Sequence, residues 1–141
     1  MILSELISSI KTEIDSYFDS LSSQIEYSTI DYLSYQVIDS TGKLFICVQF
    51  SDMSIVRVDT LSTLCKFTID INCAAKLDFS NFISTYSQII FELSQYLVSK
   101  CFCMEANVEF DYDENTETSY ALIRLRVGGN VWTQLIISQK T

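Results

Sequence analysis

The spacing of apolar residues switches repeatedly between a helical and a strand period along this chain, and that alternation dictates what the backbone can build. Leu3, Leu6, Ile7, Ile10, Ile14, Tyr17, Phe18 and Leu21 recur at helical spacing, with Glu5, Lys11, Glu13, Asp15 and Asp19 largely between them. This is one amphipathic helix of about five turns. From Ile30 the period changes: Tyr32 to Ile38 is rich in strand-forming residues, Asp39-Ser40-Thr41-Gly42 offers turn chemistry, and Lys43 to Phe50 is almost wholly apolar. A hairpin is expected there, with Leu44 to Phe50 a central strand covered on both faces because it does not alternate. Residues 51 to 60 carry no clear pattern.

The odd positions Cys65, Phe67, Ile69, Ile71 and Cys73 are then apolar while Lys66, Thr68, Asp70 and Asn72 are polar, which predicts a half-buried strand over 63–74. Helical spacing returns at Phe82, Ile83, Tyr86, Ile89, Ile90, Leu93, Tyr96 and Leu97, with Asp78 or Ser80 available as N-cap. Met104, Ala106, Val108, Phe110 and Tyr112 alternate with polar residues, Asp113 to Thr118 forms a polar loop, and Ala121, Ile123, Leu125 and Val127 line a returning strand. Gly128-Gly129-Asn130 turns into a last expected strand, Val131 to Ser138. The order α-β-β-β-α-β-β-β predicts an α+β fold, a mainly antiparallel sheet of about five to six strands with two amphipathic helices, over residues 1–141 as one domain.

The chemistry on offer is narrow. In 141 residues there is no histidine, no proline and only three glycines. The usual general base, the usual zinc ligand and glycine-rich phosphate loops are therefore missing, and no serine–lysine pair stands out. We expect no enzyme, no cofactor and no metal. Eighteen acids against nine bases give a net charge of −9, which disfavours direct, high-affinity binding of nucleic acid. Cys47, Cys65, Cys73, Cys101 and Cys103 are odd in number and lack C-x-x-C spacing, so they read as buried thiols in a reducing compartment. A soft-metal or redox site at Cys101-Phe102-Cys103 is the alternative, with no second pair to complete it. No stretch is long and apolar enough to span a membrane, and the start lacks the basic region of a signal peptide.

The densest acidic run is Asp111-Tyr112-Asp113-Glu114-Asn115-Thr116-Glu117. Its opening resembles a calcium loop, but Thr116 stands where glycine is required and Leu122 where a bidentate carboxylate is required. A solvated hairpin loop fits better. If the two flanking strands pair with residue numbers summing to 231, Val108 and Phe110 face Ile123 and Ala121, Glu105 faces Arg126, and Asn107 faces Arg124. Arg124 is then expected diagonally between Glu105 and Glu109. Arg57, Asp113, Glu114, Arg124, Arg126 and Trp132 are the candidate interface residues, chosen because they fall on expected exposed edges or loops.

This order of elements resembles that of tailed-phage tail terminator proteins: an N-terminal helix, an apolar strand like Leu44 to Phe50, a strand like Cys65 to Cys73, a second helix and an acidic hairpin. Val108-Glu109-Phe110-Asp111-Tyr112-Asp113-Glu114, followed by Tyr120 to Val127, looks like that family's closing hairpin. The chain departs where Lys43, not proline, leads into Leu44, and in its longer segment beyond Gly129. The resemblance implies a homo-oligomeric ring, commonly a hexamer, that caps the tail tube and meets head-connector proteins. It also implies a place in the virion and, during assembly, in the host cytoplasm. Two other classes stay open: a small acidic inhibitor that mimics nucleic acid, and an acidic chaperone of the secretion type that wraps an extended client as a dimer.

Overall fold

The computed structural model describes residues 2–21, 25–30, 43–57, 59–60, 63–100 and 103–128. Helix α1 (Ile2–Ser20) is followed by strands β1 (Tyr27–Ile30), β2 (Leu44–Arg57) and β3 (Thr63–Ala75). Helix α2 (Phe79–Lys100) and strands β4 (Cys103–Asp113) and β5 (Thr118–Gly128) complete the order. The five strands form one sheet in the order β1-β2-β3-β5-β4. All neighbours are antiparallel except β1 and β2. The fold is therefore α+β with two helices and a mostly antiparallel sheet, as the periodicity predicts.

Each helix forms because its apolar stripe has a sheet to cover. Ile10, Ile14, Tyr17 and Phe18 of α1 and Phe82, Tyr86, Ile90, Leu93 and Leu97 of α2 are buried in one cluster. The same cluster takes Leu44, Ile46 and Val48 from β2, Phe67, Ile69, Ile71 and Cys73 from β3, and Ala121, Ile123, Leu125 and Val127 from β5. Alternate residues of a strand point to opposite faces, so both helices lie on one side of the sheet. Asp78 caps α2: its Oδ2 accepts the Asn81 backbone N–H at 3.2 Å, and its other oxygen accepts from the Asn81 side-chain amide. Lys100 in the last turn sets a positive charge against the helix dipole.

The helices are tied to each other by polar contacts at the rim of the core. Tyr96 donates to Glu13 Oε2 at 2.8 Å, and the Tyr17 hydroxyl lies 3.4 Å from both the Ile89 carbonyl and Glu92 Oε2. Ascending positions in α1 thus meet descending positions in α2, so the two run antiparallel. Tyr27 stacks on Phe18 with ring centroids 4.3 Å apart, and its hydroxyl donates to Asp15 Oδ1 at 2.8 Å, fastening β1 back onto α1. Burial, then the bond to Asp15 and the negative charge of Asp15 and Asp19, pushes this phenol up to about 12.

Against the sequence expectations, three differences carry physical reasons. The strand beside β2 in the described chain is Tyr27–Ile30, and it is parallel, with Ile30 opposite Cys47. The expected strand over 32–38 with its turn at 39–42, and the expected last strand from Val131 to Ser138, lie outside the described residues. Second, the central strand is buried on both faces only from Leu44 to Val48. There Phe45 finds cover on the face away from the helices, against Ala74, Ile30 and Tyr120, with the Lys43 ammonium 5.7 Å above its ring. Third, the patternless stretch 51–57 is a continuation of β2. A bulge between Phe50 and Asp52 shifts the register, so that Phe50 opposes Ile69 and Met53 opposes Phe67. One extra residue puts positions three apart on the same face and erases the period of two.

The cost of burial separates the two halves of β2 and β3. Ile71 is fully buried, whereas Ile55 is 62% exposed. Ile71→Ala should lower the unfolding free energy by about 2–5 kcal/mol, as cavity-forming truncations do. Ile55→Ala should stay within about 0.5 kcal/mol. Urea unfolding of dilute protein reads both, and equal losses would contradict this placement of the core.

Candidate functional site

Hydrogen-bond register places the expected interface residues at three separate locations. Arg57 ends β2, exposed, opposite Thr63, with its Nε–H donating to the Asp59 carbonyl at 3.2 Å. Asp113 and Glu114 sit at the β4–β5 turn, at the other end of the sheet, since β5 begins opposite Ala75 and ends opposite Lys66. Arg124 and Arg126 lie midway on β5, on the face away from the helices. Trp132 lies outside the described residues.

The β4–β5 hairpin has the register expected for it. Val108 opposes Ile123, Phe110 opposes Ala121, Asn107 opposes Arg124, and Glu105 opposes Arg126. In the turn, Asp113 Oδ1 accepts the Asn115 backbone N–H at 3.0 Å, and Glu117 takes a positive φ of 52°. That left-handed residue closes the loop at a steric cost that glycine would avoid. Asp111 likewise accepts from the Tyr112 backbone N–H at 2.8 Å. These carboxylates therefore serve the local backbone. Among the described residues no three cysteine, aspartate or glutamate side chains gather as a metal site.

Arg124 keeps its expected diagonal place between Glu105 and Glu109, but its hydrogen bond goes to the other flank of β5. Its Nε–H donates to Asp70 Oδ1 at 3.1 Å, because β5 pairs with β3 on its other side and sets Asp70 directly opposite. The bond to Asp70, then the charge of Asp70, raises the guanidinium's affinity for its proton, against a small opposing effect of desolvation, with Glu109 adding to it. The sequence showed one flank of β5 and concealed the other. Nearby, Asp52, Lys66, Glu105 and Arg126 line a polar groove of about 390 Å³ on the same face. Both signs of charge are interleaved there.

The buried Cys73 offers no reactive thiolate. Cys47 and Cys73 are buried and outside any disulfide, and burial pushes Cys73 up to about 12, so little of its thiolate exists near neutrality. The side chains of Cys65, Cys101 and Cys103 lie outside the described residues.

Two apolar surfaces escaped the sequence reading. Beyond the bulge, the β2–β3 hairpin continues as an arm whose β2 side is exposed throughout from Gln49 to Arg57, including Phe50, Met53, Ile55 and Val56. At the opposite edge of the sheet, Phe91 and Val98 of α2 and Ala106 and Val108 of β4 line a groove of about 420 Å³, with Phe91 56% exposed. Phe91 had left a signal: it is a large aromatic outside the buried stripe of its helix. The arm left none, because the bulge hid its strand. No protein-family model and no curated protein matches this chain. Among the described residues no helix is long and apolar enough to cross a membrane.

The cross-strand pair gives this face a direct check. A cycle of Asp70→Asn, Arg124→Gln and the double variant should show non-additive urea midpoints. The coupling should fade toward ~1 M salt, where the screening length falls to about 3 Å. Strict additivity at low salt would show that the pair contributes nothing.

Proposed function

We propose that this protein is a non-enzymatic, self-assembling structural component that works as a ring, in the manner of the tail terminators it resembles. The observation that carries the reading is the pair of exposed apolar surfaces, the arm and the α2–β4 groove, on a chain whose core is already filled. Large exposed apolar side chains grouped at separate places mark sites of association. The element order α-β-β-β-α-β-β supports the same reading, and so does the scarcity of catalytic residue types.

The charge fits a ring around a nucleic-acid passage. Copies each carrying −9 would surround a lumen that repels DNA and lets it pass. The inhibitor reading is less well supported, since the sheet's outer face interleaves Lys66, Arg124 and Arg126 with its acids and neutralises Asp70 through Arg124. A mimic of nucleic acid needs an unbroken run of unpaired negative charge. In this role the protein meets further copies of itself and the tail and connector proteins of a virion, needing neither cofactor nor membrane.

Light scattering across salt concentrations, with negative-stain microscopy, tests the reading. The expected species is an annulus near six subunits, persisting at high salt because apolar contacts hold it. A stable dimer would instead assign the chain to the acidic secretion-chaperone class. A monomer at every concentration and salt would overturn self-assembly.

A further inference from the structure

We infer that the free edge of β4 receives an extended segment of another protein, added to the sheet as a further strand, in which apolar residues alternate with lysine or arginine. The inference goes beyond the ring reading and does not depend on it. Within a ring it leaves contact between copies to the arm.

Among the described residues this edge is open. β4 ends the sheet order, so β5 takes the hydrogen bonds of one flank and no described strand takes those of the other. A row of unpaired backbone N–H and C=O groups is a template for a further strand. From Cys103 to Asp113 the strand holds no proline and no lysine, two residues that block such an edge. In strand addition the main-chain bonds supply affinity, and the side chains on the two faces select the partner.

The two faces of β4 select different residues. Ala106 and Val108 oppose Leu125 and Ile123, so they lie on the helix side, where with Phe91 and Val98 they line the groove. Every second residue of an added strand lies on that side, and an apolar one shields the 56% exposed Phe91 from water. Glu105, Glu109 and Asp111 lie on the other face and are exposed. Glu105 has Arg126 opposite it, but Glu109 and Asp111 oppose the uncharged Leu122 and Tyr120. Arg124, diagonal to Glu109, is bonded to Asp70. The intervening residues of the partner are therefore cations, because opposite charges on neighbouring strands attract and like charges repel.

The fold already contains a strand of this kind. On its paired flank β4 accepts Ile123-Arg124-Leu125-Arg126-Val127, whose apolar residues are buried beneath the helices and whose arginines share the face of the acids. The free flank presents the same two faces to a newcomer. A second copy's β4 does not fit there, since the exposed row of Glu105, Glu109 and Asp111 would meet its own like.

Fluorescence anisotropy on the full chain tests this with a labelled octapeptide that alternates valine and arginine. Saturable binding is expected, about tenfold or more tighter than for a peptide of the same residues with its arginines grouped. Valine alternating with glutamate should not bind. Glu109→Lys with Asp111→Lys, and separately the exposed Phe91→Asp, should each weaken binding about tenfold or more, with circular dichroism confirming the fold. Glu5→Lys with Asp19→Lys, exposed on α1, makes the same change of net charge elsewhere and should leave binding within about twofold. Hydrogen–deuterium exchange should slow along β4 when the peptide is added. Equal binding of the alternating and grouped peptides, or equal losses from the two double charge reversals, would show attraction to net charge alone and overturn the inference. Protection that maps away from β4, or no binding by the alternating peptide, overturns it as well. Ring formation enters none of these outcomes, so either reading can fail without the other.

Discussion

Burial of a single sheet face beneath two antiparallel helices is the constraint on which the rest of this structure depends. Ile69, Ile71 and Cys73 of β3, with Ala121, Ile123 and Leu125 of β5, form the floor that α1 and α2 cover. Once that floor is placed, strand alternation leaves Asp70, Arg124, Arg126 and Glu105 on the opposite face, where a half-buried ion pair and a polar groove follow. The floor also limits how much sheet can be covered. Strands β2 and β3 outrun the helices, and the excess becomes the arm.

The arm is costly to a solitary chain. Phe50, Met53, Ile55 and Val56 keep large apolar surfaces in water, and β2 there gains little beyond its ladder with β3. Such a segment sits at the low end of local stability. Its retention is intelligible when a second surface covers it. A bulge at Ser51 aligns Phe50 with Met53 and Ile55, and that alignment creates the exposed apolar face of the arm.

Much of the fold was legible because regular burial writes regular periods. Residues 63–74 and 82–97 alternate or repeat as their structures demand, and the β4–β5 register followed from matching apolar faces. Three things were not legible, each for a physical reason. The parallel pairing of β1 depends on a four-residue strand too short to hold a period. Asp70 became the partner of Arg124 through the order of strands in the sheet, which no local pattern encodes. The exposed arm could not be seen because both of its faces meet solvent and its bulge breaks the count. Of the expected interface residues, Arg57 belongs to the arm, and Asp113, Glu114, Arg124 and Arg126 do not line the groove.

Hydrogen–deuterium exchange read by mass spectrometry, at rising protein concentration, tests most directly that the arm is covered by copies of the same chain. The account predicts that exchange slows with concentration in residues 50–57. Exchange in the β3–β5 floor should stay constant. Protection in the arm that is indifferent to concentration, while larger species form, would contradict it.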